Sequence, residues 1–227
     1  MILINDAKVI DIPIQNKNET FIDLKNLNDR IKVDTSMNQI ASNSIYFSYA
    51  RLSIAEKLLE AVNYLPPNIN FYIKEAYRPL RQQQKSFKKV LKHYNEIYSN
   101  LSDEEIYKET CKYVAPPECA PHPTGAAIDI TLISSSNIEL DLGTEFNATP
   151  QETDNATYFN SKNISREAQK NRKILSDPLS EVGFVNYDPE WWHWSFGDRY
   201  WAFIIGKGNA HYNVVNEKWI HENRTSE

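Results

Sequence analysis

Ala120-Pro121-His122-Pro123-Thr124-Gly125-Ala126-Ala127-Ile128-Asp129-Ile130-Thr131-Leu132-Ile133 is the stretch on which the fold turns. From Ala127 to Ile133 the side chains alternate, which predicts a strand. Ala127, Asp129 and Thr131 share one face; Ile128, Ile130 and Leu132 share the other. The apolar face must be core. Asp129 therefore points from the opposite face, between small residues that leave room, and an acid in mid-strand needs a partner. His122 lies seven residues earlier, between two prolines in a stiff loop.

Pro116-Pro117 extends that loop on its N-terminal side. A helix is predicted near 49–63, with Leu52, Ala55, Leu58, Leu59 and Val62 on one face, ended by Pro66-Pro67. Phe71–Tyr77 reads as a strand. A second helix spans about 80–98, with Gln84, Phe87, Leu91, Tyr94 and Tyr98 on one side. A third lies near 103–113, opened by the capping-box pair Ser102 and Glu105. On the C-terminal side, 143–163 is polar, rich in Asn and Thr, and predicts a long surface loop. Ser165 opens a helix that Pro178 interrupts or restarts, with Gly183 as its stop. Phe184–Tyr187 and Trp191–Phe196 read as strands. Residues 1–45 read as short strands and loops, and the tail after Gly206 is weakly patterned. Helices and strands do not alternate regularly. The expectation is an α+β fold, one domain over 1–227, with an antiparallel sheet and helices packed against it.

Composition bounds the function classes. The 227 residues are 41% hydrophobic and 24% charged, which is ordinary for a globular chain and excludes disorder, collagen and coiled coil. Thirty acids against 25 bases give a net charge of −5, which argues against a nucleic-acid partner. Thirteen Tyr and five Trp point to a site with aromatic walls. No apolar run approaches a membrane span of roughly 18 residues. The N-terminus shows no signal-peptide pattern. Cys111 and Cys119 form no C-x-x-C pair, so a reducing cytoplasm is expected, with both thiols as buried small hydrophobes or exposed groups rather than a disulfide.

A second stretch carries chemistry: Asp188-Pro189-Glu190-Trp191-Trp192-His193-Trp194-Ser195-Phe196. Alternation puts Trp192, Trp194 and Phe196 on one face, and His193 with Ser195 on the other. Asp188-Pro189 is turn chemistry, so Glu190 can lean back toward the histidine face. His122, Asp129 and His193, with an open fourth position, match a catalytic zinc site. The competing reading is a pair of core or hydrogen-bonding histidines. Glu190 is the spare acid, suited to take a proton from zinc-bound water and hand it to the leaving amine. Arg78, in Tyr77-Arg78-Pro79, is a cation able to stabilise an oxyanion. Its competing reading is a surface salt bridge to Glu75. His93 reads as a helix-surface residue between Lys92 and Tyr94, and His211 and His221 lie in the tail.

Together these segments resemble the vancomycin-resistance-type D-alanyl-D-alanine dipeptidase family of zinc metallopeptidases. Its pattern S-x-H-x-x-G-x-A-x-D is met by Ala120 to Asp129, E-W-W-H by Glu190 to His193, and Y-R-P by Tyr77 to Pro79. G-T-x-F-D is met by Gly143 to Asn147, and N-R-x-x-L by Asn171 to Leu175. The resemblance covers roughly 45 to 200. It implies a mixed α+β fold with one zinc in a central cleft, bound by His122, Asp129 and His193. It implies Glu190 as catalytic base and acid, Arg78 as transition-state stabiliser, and Asn147, Tyr77 and Trp192 as substrate contacts. Two positions depart from the pattern. Ala120 replaces a Ser, and Asn147 replaces an Asp that would pair the substrate ammonium, with Glu145 a candidate substitute. The implied function is a cytoplasmic dipeptidase acting on D-Ala-D-Ala, a small dipeptide partner. The alternatives are a D,D-carboxypeptidase or wall endopeptidase of the same superfamily, and a non-catalytic zinc module like the hedgehog relatives.

Overall fold

In a computed structural model, which describes residues 2–36 and 44–225, the centre is a five-stranded sheet. Its strands are β2 (Ile31–Val33), β4 (Ile69–Glu75), β5 (Ala127–Ser134), β6 (Val185–Asn186) and β7 (His193–Ser195), in the spatial order β2-β4-β5-β7-β6. A separate antiparallel pair joins β1 (Phe21–Asp23) to β3 (Tyr49–Arg51). The expectation of an antiparallel sheet needs correction at one edge. β2 runs parallel to β4, with Ile31 opposite Phe71, while every other neighbouring pair of the large sheet is antiparallel. The reason is topological. The chain between β2 and β4 carries β3 and α2 (Leu52–Ala61), a crossover that returns it in the same direction.

β5 behaves as its alternation requires. Ile128, Ile130 and Leu132 are fully buried in the main core with Phe71, Ile73, Leu58 and Leu175. Leu58 comes from α2 and Leu175 from α5 (Arg166–Glu181), two helices in mutual contact. Truncating either to Ala costs about 2–5 kcal/mol. On α2, Ile54, Ala55, Leu58 and Ala61 are the buried residues, whereas Leu52 and Leu59 of the expected face are exposed. α5 is capped by Ser165, whose hydroxyl accepts from the Ala168 N–H, and continues through Pro178 rather than breaking there.

α3 (Leu80–Ile97) and α4 (Asp103–Tyr113) pack on each other. Ser102 and Glu105 form both halves of the expected capping box. On α3 the buried residues are Gln83, Phe87 and Tyr94, so the inward face includes Gln83 and not Gln84. The N-terminal α1 (Ala7–Ile10) packs against α6 (Arg199–Ile204), a helical start where strands and loops were expected. The tail holds a further helix, α7 (Glu217–Asn223), capped by Asn216 and anchored by the fully buried Ile220 beside Phe21 and Tyr77. Its seven residues are too short for a periodic signal. No helix among the described residues is long and apolar enough to cross a membrane. Cys111 and Cys119 are buried and unpaired.

Candidate active site

Strand register assembles the site. Asp129 on β5 lies directly opposite His193 on β7 and, on its other side, opposite Glu75 at the end of β4. His122 arrives from the proline loop, which makes a tight helical turn over His122–Thr124 and leaves it through Gly125 at φ +72°. A Cβ at Gly125 would meet the Phe21 ring at 2.3 Å, so both the backbone angle and the close approach require glycine. The buried Arg51 fixes the same loop, its Nε donating to the Thr124 carbonyl at 2.7 Å.

His122, Asp129 and His193 are only 4%, 3% and 6% exposed. Asp129 Oδ1 lies 3.3 Å from His122 Nε2 and 3.0 Å from His193 Nδ1. The Ala76 carbonyl sits 2.7 Å from His122 Nδ1. A carbonyl only accepts, so Nδ1 carries the proton and the neutral ring turns a lone pair toward Asp129. Burial alone would raise the Asp129 carboxyl, but the two imidazoles hold it far below the usual carboxylate range. Burial works to lower His122, and the Asp129 charge outweighs it and raises it. One atom from each of the three residues lies within 4.8 Å of the others, the only such group of potential metal ligands among the described residues. Two imidazole nitrogens and a carboxylate oxygen, buried and converging, fit a zinc ion with one position left open.

Glu190 and Arg78 line the same cleft as the three residues. Glu190 sits in the turn before β7, its N–H donating to the Tyr187 carbonyl and its carbonyl accepting from the His193 N–H. Burial pushes its carboxyl up to about 7, against the pull of His193 and Arg78 and the indole of Trp192. The Arg78 guanidinium is gripped by Glu75, Nε to Oε1 at 2.9 Å and Nη2 to Oε2 at 2.5 Å, while Nη1 donates to Gln83 Oε1 at 2.8 Å. Burial works to lower the Arg78 pKa, but Glu75, Asp129 and Glu190 raise it above that of a free guanidinium. The pairing with Glu75 that competes with a catalytic reading is thus present, but Glu75 is buried and the half-buried Arg78 faces the cleft, unlike a surface contact.

The cleft encloses about 710 Å³ and runs from these residues along α3 and α4. Trp192 and Asn147 line it; Asn147 is exposed and takes a left-handed φ of +64°. Tyr77 does not line it and is corrected as a substrate contact. It is fully buried against Phe21 near α7, its hydroxyl donating to the Val215 carbonyl at 3.0 Å. The expected surface loop 143–163 is a wall of this cleft, with Ala156 and Thr157 buried. Glu145 is not among the lining residues. Of the two residues that hold Arg78, Glu75 was legible three positions before it, though as a surface partner, and Gln83 gave no separate signal.

The D-ala-D-ala dipeptidase family of peptidases matches residues 41–214. The chain belongs to this family. Its members are zinc-dependent, and the chain is a metallopeptidase with a His, Asp, His set able to hold the ion. A D-alanyl-D-alanine dipeptidase of Synechocystis sp. is 27% identical over 68% of this chain and 67% of its own. One of Enterococcus faecalis is 29% identical over 48% of this chain and 52% of its own. Among solved structures, a vancomycin resistance D,D-pentapeptidase in complex with Zn(II) overlaps 88% of this chain and 96% of its own. Its TM-score is 0.42 at 13% identity.

Proposed function

We propose that this chain is a zinc-dependent dipeptidase that hydrolyses D-alanyl-D-alanine, with His122, Asp129 and His193 holding the metal and Glu190 serving as general base and then general acid. Zinc, when bound, supplies a Lewis acid that eases deprotonation of water and polarises a carbonyl. Glu190 takes the proton from the attacking water and returns it to the leaving amine, so no net charge accumulates on the protein. Arg78 stabilises the negative charge that develops on the carbonyl oxygen, and its permanent charge costs no reorganisation because Glu75 and Gln83 already hold it. Asn147 and Trp192 contact the substrate from the cleft walls.

One observation carries this reading over a non-catalytic zinc module: Glu190 and Arg78 open onto the same cleft as the three candidate ligands. A module that only bound zinc would need neither. The size of the cleft favours, as a second reading, a carboxypeptidase that trims longer peptides ending in D-Ala-D-Ala. The unpaired Cys111 and Cys119 support a cytoplasmic setting.

The test is a hydrolysis panel of D-Ala-D-Ala, L-Ala-L-Ala, N-acetyl-D-Ala-D-Ala and a wall pentapeptide, with and without chelator. The dipeptidase reading expects release of D-alanine from D-Ala-D-Ala, lost with chelator and restored by zinc. Turnover of the pentapeptide alone would transfer the assignment to the second reading. Chelator-resistant turnover would remove the metal from the mechanism.

A further inference from the structure

A substrate with a free amino group carries an ammonium, and in a cleft of this kind an ammonium is best matched by a carboxylate. Among the described residues three carboxylates line the cleft: Asp129, Glu190 and Glu152. Asp129 is taken up by His122 and His193, and Glu190 by the base role proposed above. Glu152 remains. It stands on the wall made by the 143–163 loop, with Asn147, Thr149 and Gln151 beside it, none of which is charged.

Glu152 is exposed on this wall, and Thr149 orients its carboxylate. Its Oε2 accepts from the Thr149 N–H at 3.1 Å and from the Thr149 hydroxyl at 2.8 Å, and its own N–H donates back to Thr149 Oγ1 at 3.1 Å. Its Oε1 has no hydrogen-bond partner among the described residues, and only the Thr149 bonds, with no cation, stabilise its charge. Tyr113 lines the same cleft. Among the described residues the negative charge is therefore held by Thr149 alone, on the same cleft that Glu190 lines.

We propose that Glu152 recognises a primary ammonium on the amino-side portion of the substrate. The inference rests on the peptidase reading above. Two sources share this chemistry: the α-ammonium of a free dipeptide, and the side-chain amine of a longer peptide, for which a cleft of about 710 Å³ has room.

The variants are Glu152→Gln and Glu152→Lys. Gln serves the same capping pair with Thr149, so the first removes charge and leaves the turn. The four substrates are D-Ala-D-Ala, N-acetyl-D-Ala-D-Ala, Nα-acetyl-lysyl-D-Ala-D-Ala and its Nα,Nε-diacetyl counterpart. Glu152→Gln is expected to lower kcat/KM about tenfold for an ammonium-bearing substrate, the lower end for a hydrogen bond to a charged group, and to leave its acetylated counterpart unchanged. Glu152→Lys should lower it further. A fall confined to D-Ala-D-Ala assigns the α-ammonium; a fall confined to the monoacetylated tripeptide assigns the side-chain amine. An equal change across all four substrates, or none, overturns the inference while leaving the peptidase reading intact. Wild-type protein that hydrolyses none of the four overturns the peptidase reading, and the inference with it.

Discussion

Glu75 and Arg78 are joined by two side-by-side hydrogen bonds, and the carboxylate that makes them sits directly across the sheet from Asp129. Arg78 is therefore tied to the same strand row as two of the candidate ligands. Removing the fork and removing its anchor should act as one lesion. Arg78→Lys keeps the charge but cannot pair bidentately. It is expected to lower kcat by about 10²–10³-fold, the cost typical of losing one oxyanion donor, with a smaller effect on KM. Glu75→Gln should lower kcat in the same sense. The double variant should fall short of the summed losses by about 0.5–3 kcal/mol. Strictly additive losses in steady-state kinetics would show that Glu75 does not position Arg78.

Metal and chemistry should separate at His193 and Glu190. His193→Ala is expected to lose both zinc and activity, from a wild type holding about one zinc per chain. Glu190→Ala should keep its zinc and lose about 10²–10⁴-fold in turnover. Metal analysis and kcat on the same preparations decide this. Full zinc in His193→Ala would remove it from the ligand set.

Asn147 tests recognition rather than catalysis. Its left-handed backbone suits Asn, and Asp tolerates that conformation nearly as well, so Asn147→Asp adds a charge without reshaping the turn. The ratio of kcat/KM for D-Ala-D-Ala to that for the N-acetylated dipeptide is expected to rise. An unchanged ratio would leave Asn147 as a turn residue only.

Acid stability should register the pair of Asp34 and Lys74, which lies away from the cleft. Asp34 Oδ2 is 3.1 Å from Lys74 Nζ, and Oδ1 accepts from the Ser36 N–H. Burial raises the carboxyl, but the Ser36 hydrogen bonds and Lys74 outweigh it and bring it down to about 2. Because the folded value is depressed, the contribution is complete above the unfolded value near 3.8 and is lost as pH falls through about 2. It amounts to about 2 kcal/mol at neutral pH. Asp34→Asn should show that deficit in urea midpoints at pH 7 and converge on the wild type toward pH 2. A gap independent of pH would assign the effect to packing.

The alternation of Ala127 to Ile133 and of Trp192 to Phe196 made the facing of two of the three candidate ligands legible, because a strand of period two leaves little freedom of face. Glu190 was legible for the opposite reason, since Asp188-Pro189 breaks the strand before it. What stayed hidden was non-local. The parallel pairing of β2 with β4 depends on a crossover that no local pattern reports. Tyr77 was misread because its neighbour Arg78 faces the cleft, and adjacent residues leaving a strand need not share a side. The place of Glu152 on the cleft wall was hidden because a capping pair with Thr149 looks the same in sequence on any exposed turn.

Arg172 sits fully buried beneath the cleft wall and spends its guanidinium on main-chain oxygens: Leu142 through Nε, Tyr158 and Phe159 through Nη1, and Ala156 through Nη2. Asn171 adds the Asp141 carbonyl at 2.8 Å. Every residue type has a carbonyl, so this bracket is indifferent to which side chains the loop carries. The path of the wall and its chemical lettering are thereby uncoupled. At the exposed positions 147, 151 and 152 the side chains take no part in this bracket. Substitutions that respect the turn, such as Asn147→Asp and Glu152→Gln, combined with free choice at 151 and an intact Arg172, are therefore a route to new substrate preferences on an unchanged scaffold.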